Sequence, residues 1–218
     1  MGRLDKDIVK PNLLLVVSGP SGAGKSTICQ TFVERHAAEL VVSCTTREPR
    51  NGEVPDDDYI FISRDKFEQG IKDDRFLEYA EVHNNLYGTP RAPVDRALDE
   101  GRDTILEIDV QGGLQVKKKM PEAVLVFVRT GTFSALEERL VGRGTDSPEV
   151  IDIRLHNARK ELEVMDQYDY FLLNDDLETA MVDFAAIVMA EKCRIERLTL
   201  SADDEHGNKT AVSGNKED

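Results

Sequence analysis

Cysteine is scarce in this chain of 218 residues: Cys29, Cys44 and Cys193 stand far apart, without the spacing of a metal cage or a disulfide framework. They are expected to be reduced and mostly buried thiols. The four histidines, His36, His83, His156 and His206, form no H-E-x-x-H or similar cluster, so a zinc-hydrolase centre has no ligand set here. Positive charge is in deficit as well. Lysine and arginine total 28 against 42 acidic residues, a net charge of −14, whereas a nucleic-acid-binding surface is basic because it must meet a phosphate backbone. No nucleic-acid partner is expected, and any arginine cluster must build a local positive site against the overall charge. No apolar run approaches the length that crosses a bilayer, and the opening MGRLDKDIVK lacks the apolar stretch of a secretory signal. Lys6 stands where an N-myristoylation motif needs Ser or Thr. The expectation is a cytoplasmic protein with no membrane partner. Internal repeats and long linkers are missing too.

What is present is the composition of a globular protein, 40% hydrophobic and 32% charged, long enough for one good core but not for two large domains. One run carries most of the chemical information: Gly19-Pro20-Ser21-Gly22-Ala23-Gly24-Lys25-Ser26, followed by Thr27. It follows the apolar residues 13–17 and precedes a helix-like stretch, the context that the pattern G-x-x-x-x-G-K-[ST] requires. Glycines let backbone N–H groups converge on phosphate oxygens without a Cβ in the way. Lys25 adds a mobile positive charge for the β- and γ-phosphates, and the Ser26 hydroxyl suits the Mg²⁺ that accompanies ATP.

Along the chain, short apolar runs alternate with amphipathic stretches, as βαβ units demand. Strands are predicted at 13–18, 41–45, 104–109, 123–129 and 170–173, and helices at 25–36, 91–100, 113–119, 133–141, 148–165 and 177–197. Ser147 is a plausible N-cap for the fifth helix, with Pro148 at its first position. The pattern gives an α/β fold with a mostly parallel central sheet covered on both faces. Residues 43–90 break the alternation, with β-like pieces at 58–62 and 76–81 around a helix-like 64–72, and Pro49, Gly52, Pro55 and Gly88 as punctuation. This segment is predicted to be an inserted subdomain. A second, arginine-rich excursion begins near 136. The last residues, 199–218, have almost no apolar content and are predicted to be a disordered tail.

Two further constellations stand beside the glycine loop. Ile105-Leu106-Glu107-Ile108-Asp109-Val110-Gln111-Gly112 is an apolar strand ending in carboxylates, of the kind that lies next to such a loop and faces the Mg²⁺–phosphate region. Ser43-Cys44-Thr45-Thr46-Arg47-Glu48-Pro49-Arg50, with Gly52-Glu53 and Asp58-Tyr59, offers two fork-shaped cations and several hydroxyls to a second phosphate.

In order, GPSGAGKST, SCTTREPRNGE with DDDY, FLEYAEVHNNLYGT, LEIDVQGG, RLVGRGTDS and LLNDD resemble guanylate kinase of the bacterial type, over roughly residues 10–198. The resemblance implies a P-loop, nucleoside-monophosphate-kinase-like three-layer fold. Its core would be 10–42 and 101–198, with an NMP-binding insert at 43–90 and a lid at about 136–157. It implies transfer of the ATP γ-phosphoryl group to GMP, and to dGMP, with Mg²⁺ and ATP as the metal–nucleotide pair. Residues 19–27 (Gly19, Pro20, Ser21, Gly22, Ala23, Gly24, Lys25, Ser26, Thr27) and Asn174 match the ATP site, with Mg²⁺ on Ser26. Arg47, Arg50, Tyr59 and Tyr87 match the positions that hold the GMP phosphate. Ser43, Glu78, Thr89 and Glu107 match those that read guanine, and Glu53, Gly88, Asp109 and Gln111 complete the GMP set. Lys25, Arg47, Arg139, Arg143 and Arg154 match the catalytic cations. Asn174 could equally cap the helix that begins at Leu177.

The chemistry of the base agrees with this set. Guanine presents N1–H and an N2 amine, which carboxylates complement, and O6, which a hydroxyl can satisfy. Adenine would leave a buried carboxylate unpaired, a mismatch worth roughly 10⁴-fold in sites built on hydrogen bonds. A guanylate-kinase-like binding module without activity could dispense with Lys25 and Ser26, which are intact here. A P-loop kinase for a ribose phosphate would not need Ser43, Glu78 and Thr89. Whether the chain forms a homo-oligomer is left open.

Overall fold

A computed structural model of the protein describes residues 7–9, 11–50, 52–82, 84–142, 148–203 and 209–211. After a short strand β1 (Asp7–Val9), the chain enters β2 (Leu14–Ser18), whose five residues are all buried. Successive side chains of a strand point to opposite faces, and here both faces are covered. Leu15 and Val17 pack with helices α1 (Lys25–Arg35) and α7 (Leu177–Lys192) through Phe32 and Phe184. Leu14 and Val16 pack on the other face with Val94, Leu106 and Val116. Each such fully buried aliphatic side chain stabilises the fold by about 1.5–3 kcal/mol, which is why β2 reads as a continuous apolar run.

From α1 the chain passes through β3 (Ala38–Leu40) to β4 (Cys44–Thr45), β5 (Ile60–Phe61), α2 (Arg64–Lys72), β6 (Phe76–Val82) and β7 (Asn85–Pro90). Then follow α3 (Arg91–Asp99), β8 (Asp103–Glu107), α4 (Val110–Lys119), β9 (Val124–Arg129), α5 (Phe133–Gly142), α6 (Pro148–Leu162) and β10 (Tyr170–Leu173). The central sheet runs β10-β9-β2-β8-β3, with every pair parallel. The strand order turns about β2, so a crevice opens at the carboxyl ends of β2 and β8, the place where open α/β sheets take ligands.

A second sheet, β5-β4-β7-β6, holds its own core of Cys44, Phe67, Phe76 and Leu86, with the two phenylalanine rings stacked 4.3 Å apart. The single strand predicted at 41–45 is in fact split. Its first part continues β3 in the central sheet, where the Val41 N–H still donates to Ile105 O, and its second part is β4 in the small sheet. Residues 41–43 carry the chain from one sheet to the other. Strand β7 (Asn85–Pro90) was hidden by Gly88, which reads as punctuation. Gly88 instead lies mid-sheet between Cys44 and Tyr79, where a Cβ would stand 2.9 Å from Glu78 O. Glycine there marks a close approach rather than a turn.

Helices α5 and α6 share a third small core of Leu136, Leu140, Leu155 and Ala158. The tail expected at 199–218 is not wholly irregular. Strands β11 (Thr199–Asp203) and β12 (Lys209–Ala211) pair antiparallel, and β11 pairs with β1 at Ile8↔Leu200. Such pairing between chain ends joins segments that are each weak strands alone, so local composition does not reveal it. Helix α7 stops at Lys192 rather than 197, and Ile195–Arg197 forms a single 3₁₀ turn. Cys29 and Cys44 are buried as expected, whereas Cys193 is exposed.

Candidate active site

The glycine loop joins β2 to α1 under strict steric constraint. Gly19 has φ 138°, and a Cβ there would lie 2.0 Å from the carbonyl oxygen of Val128; no other residue fits. Gly24, at φ 87°, is the N-cap of α1 and supplies no side-chain cap. By contrast α2, α4 and α7 are capped by Ser63, Asp109 and Asp176. A helix start without a side-chain cap offers its first-turn N–H groups to an anion. Lys25 Nζ folds back over the loop, donating to Gly19 O at 2.7 Å and Pro20 O at 3.0 Å. Ser26 Oγ donates to Glu107 Oε1 at 2.7 Å, so Glu107 at the end of β8 stands against the loop. Arg154 on α6 reaches Ser21 Oγ at 3.4 Å. Asn174 is buried and donates from Nδ2 to Ala23 O at 2.7 Å. It supports the loop from beneath and does not cap α7, a role taken by Asp176, which accepts the Thr179 N–H at 2.9 Å.

The small sheet supplies the opposite wall. Arg47 is held in a fork by Glu53, with Nη1 to Oε2 at 2.7 Å and Nη2 to Oε1 at 2.8 Å, and both side chains are largely buried. Its Nε donates to Tyr87 Oη at 3.2 Å, and its guanidinium lies 5.2 Å from the Tyr59 ring centre. Glu53 also accepts the Arg50 N–H at 2.7 Å. These donors hold the Glu53 carboxyl down at about 2, while Glu53 and then Tyr87 raise the Arg47 guanidinium above its ordinary value. The Arg50 guanidinium makes no hydrogen bond among the described residues, and it faces the cleft.

Deeper in the same wall, Glu78 is only 5% exposed and accepts from Thr89 Oγ1 at 2.7 Å. Burial, and secondarily the charge of Asp109, push its carboxyl up to about 7, with the Thr89 hydroxyl opposing. Asp109 caps α4 by accepting the Gly112 N–H at 2.8 Å.

The two walls enclose a cleft of about 600 Å³, lined on one side by Lys25 and Ser26 and on the other by Ser43, Arg50, Tyr59 and Glu78. A second hollow of about 580 Å³ lies across the loop, lined by Gly22, Gly24, Thr27, Arg139, Asn174 and Asp175. The structure thus brings nearly all the expected residues to two adjoining spaces. Gln111, exposed on α4, lines neither. Thr89 and Arg154 also stand off both linings and reach them through Glu78 and Ser21. Arg143 lies outside the described residues.

A model of the family described as guanylate kinase matches residues 12–191. The chain belongs to the guanylate kinase family. It is 53% identical over 175 residues to the guanylate kinase of Fusobacterium nucleatum, covering 80% of this chain and 95% of that one. With the guanylate kinase of Carboxydothermus hydrogenoformans it shares 51% identity over 187 residues, covering 85% and 92%. The crystal structure of guanylate kinase from Anaplasma phagocytophilum superposes with a TM-score of 0.72 at 30% identity, covering 88% of this chain and 92% of that one. In this guanylate kinase, sequence reasoning missed two ionisable lining residues, Asp175 on the second hollow and Glu161 on the cleft. Glu161 stands closer to the loop chemistry. Burial pushes its carboxyl up to about 7, against the pull of Lys25. The signal was available, since Glu161 lies seven residues after Arg154 on α6 and shares its face.

Proposed function

We propose that the cleft is where the ATP γ-phosphoryl group meets GMP, with the glycine loop holding ATP and the small sheet, residues 43–90, holding GMP. The activity is that of the family, ATP + GMP → ADP + GDP. The observation that carries the assignment is the enclosure of Lys25 and Ser26 with Arg50, Tyr59 and Glu78 in one space. The Glu78 carboxylate complements the N1–H and N2 amine of guanine, and Ser43 at the mouth of the same wall complements O6. Tyr59, Tyr87 and Arg50 offer donors to the GMP phosphate. Arg47 offers less than its charge suggests, because Tyr87, Glu53 and Glu48 O already take four of its five N–H groups. Arg50 is then the principal anchor.

In the transfer, a GMP phosphate oxygen bonds to the γ-phosphorus as the bond to the ADP oxygen breaks. No general base is needed, because a phosphate monoester with second pKa near 6 is already ionised at pH 7. The chain's work is positioning and charge neutralisation. Lys25 turns from its loop carbonyls to the phosphates, Arg154 enters from α6, and Arg139 approaches from the second hollow, where Asn174 and Thr27 flank the adenine side. The region at about 136–157 would act as the lid that excludes water. A Mg²⁺ site fits the oxygen donors at Ser26, with Glu107 bonded behind the hydroxyl. Mg²⁺ typically takes one or two protein groups and completes its shell with water and substrate phosphates. When bound it would neutralise phosphate charge. Acceptance of dGMP follows because none of the proposed contacts is assigned to the ribose 2′-hydroxyl. Among the described residues no helix is long and apolar enough to cross a membrane, which is compatible with action on free nucleotides in the cytoplasm.

The test is ADP production from ATP with GMP, AMP, CMP and UMP as parallel acceptors. Turnover is expected with GMP and at most marginally with the others; equal rates with AMP would refute the base assignment. A second expectation concerns Glu53, proposed here to position Arg47 and the Arg50 backbone rather than to touch GMP. Glu53→Gln removes the charge of the fork and should raise KM for GMP roughly tenfold, leaving KM for ATP unchanged. An equal rise in both constants would argue against it.

A further inference from the structure

Helix α4 meets strand β6 along one stripe. Positions 112, 115 and 119 are spaced so that they share a helix face, and each touches β6. Gly112 lies against the Glu78 carboxylate, where a Cβ would stand 2.8 Å from Oε2. The Gln115 side-chain amide takes both backbone groups of Tyr79, donating from Nε2 to its carbonyl at 3.2 Å and accepting its N–H at 3.4 Å. Lys119 Nζ donates to Phe76 O at 2.9 Å. Strand β6 is the edge of its sheet, so its outer backbone groups lack a neighbouring strand. Gln115 supplies the donor and acceptor that such a strand would have given Tyr79.

These contacts bracket an irregularity. The β6–β7 register shifts between Phe76 and Glu78, and a shift of this kind re-aims the side chain beside it. Lys119 holds the backbone before the shift, Gln115 holds it after, and Glu78 lies between. The Lys119 charge also acts on the Glu78 carboxylate.

We propose that Gln115 is a positioning residue for base selection: its amide clasps the edge of β6 and fixes where Glu78 meets the base, with Lys119 as the second clasp. The inference rests on the reading of Glu78 as the group that faces the guanine N2 amine. The test compares GMP with IMP, which keeps O6 and N1–H but lacks that amine, in the full chain carrying Gln115→Leu. Loss of two hydrogen bonds should lower the GMP-to-IMP ratio of kcat/KM about tenfold, raise KM for GMP, and leave KM for ATP unchanged. Lys119→Met should move the ratio in the same direction by less, and it serves if Gln115→Leu does not fold. A purely structural role would lower the melting temperature without moving the ratio, and that result overturns the proposal. Glu78→Gln, measured in parallel, separates the two ideas. If it lowers the ratio while Gln115→Leu and Lys119→Met do not, the clasp alone is refuted. If the ratio is unmoved in Glu78→Gln, the base reading fails and the clasp's part in selection fails with it.

Discussion

Replacing Lys25 with methionine is expected to lower kcat by roughly 10³-fold, the scale on which single preorganised charges act in phosphoryl and acyl transfer, while the protein stays folded and still binds GMP. The argument begins with the loop. Lys25 Nζ donates to two carbonyls of its own loop, Gly19 O and Pro20 O, and Gly19 and Lys25 line the cleft, where water can replace the amine. The shape of the loop is set elsewhere, by the Gly19 approach to Val128 and the Asn174 amide under Ala23. Methionine keeps the length and removes the charge, so its cost falls on the step in which negative charge is redistributed on the phosphates. Calorimetric titration with GMP, thermal melting and single-turnover kinetics together separate these effects. Turnover within tenfold of the wild type would show that Arg139 and Arg154 carry the neutralisation without it. Loss of GMP binding would show that the two walls are coupled more tightly than their separate cores imply.

The parts of this site that were legible in the sequence are those fixed by local rules. A glycine loop between a buried strand and a helix announces itself, because each glycine answers a steric demand that no other residue meets. Arg47, Arg50 and Tyr59 were legible as a cluster because a phosphate site would need those types close together, and the structure sets all three on the cleft. The rest depended on approach between distant segments. Gly88 read as punctuation although it is the centre of β7, and the strand at 41–45 read as one piece because nothing local says that it changes sheets. Glu53 was placed at the site without a contact; its fork on Arg47 required Glu53 to come back against Arg47 and the Arg50 N–H. Gln115 and Lys119 lie in the predicted helix 113–119 with nothing local to mark them, since the edge of β6, 36 and 43 residues away, is invisible to periodicity. Glu107 was expected among the guanine readers, and the structure sets it against Ser26.

Glu78 should show opposite effects on stability and activity. Its carboxyl sits at about 7 in the folded chain against 4.5 for an ordinary glutamate, mainly through burial. A raised carboxyl pKa means that the folded state holds its proton more tightly than the unfolded state. The corresponding stability is fully present below pH 4.5 and is lost as pH rises through 7. The loss amounts to about 3 kcal/mol at pH 8. Glu161 shifts in the same direction, so the wild type declines for two reasons, and the difference from a Glu78→Gln variant isolates one. Glutamine keeps an oxygen for the Thr89 hydroxyl and cannot ionise. The variant should therefore melt several degrees above the wild type at pH 8 and level with it near pH 4.5. Its activity should move the other way. Guanine brings two donors to this carboxyl, and the glutamine amide would set a donor against a donor. A loss of roughly 10³-fold in kcat/KM for GMP is expected from a mismatch of buried hydrogen-bonding groups. In the wild type, kcat/KM for GMP should rise with pH up to about 7, because only the ionised carboxyl accepts both bonds and this constant reports the free enzyme. In the variant that rise should flatten, apart from the ionisation of the GMP phosphate near pH 6. A Glu78→Gln protein that is no more stable at pH 8, or one whose pH profile keeps the wild-type rise to 7, would show that the buried Glu78 carboxyl is not the group that reads the base.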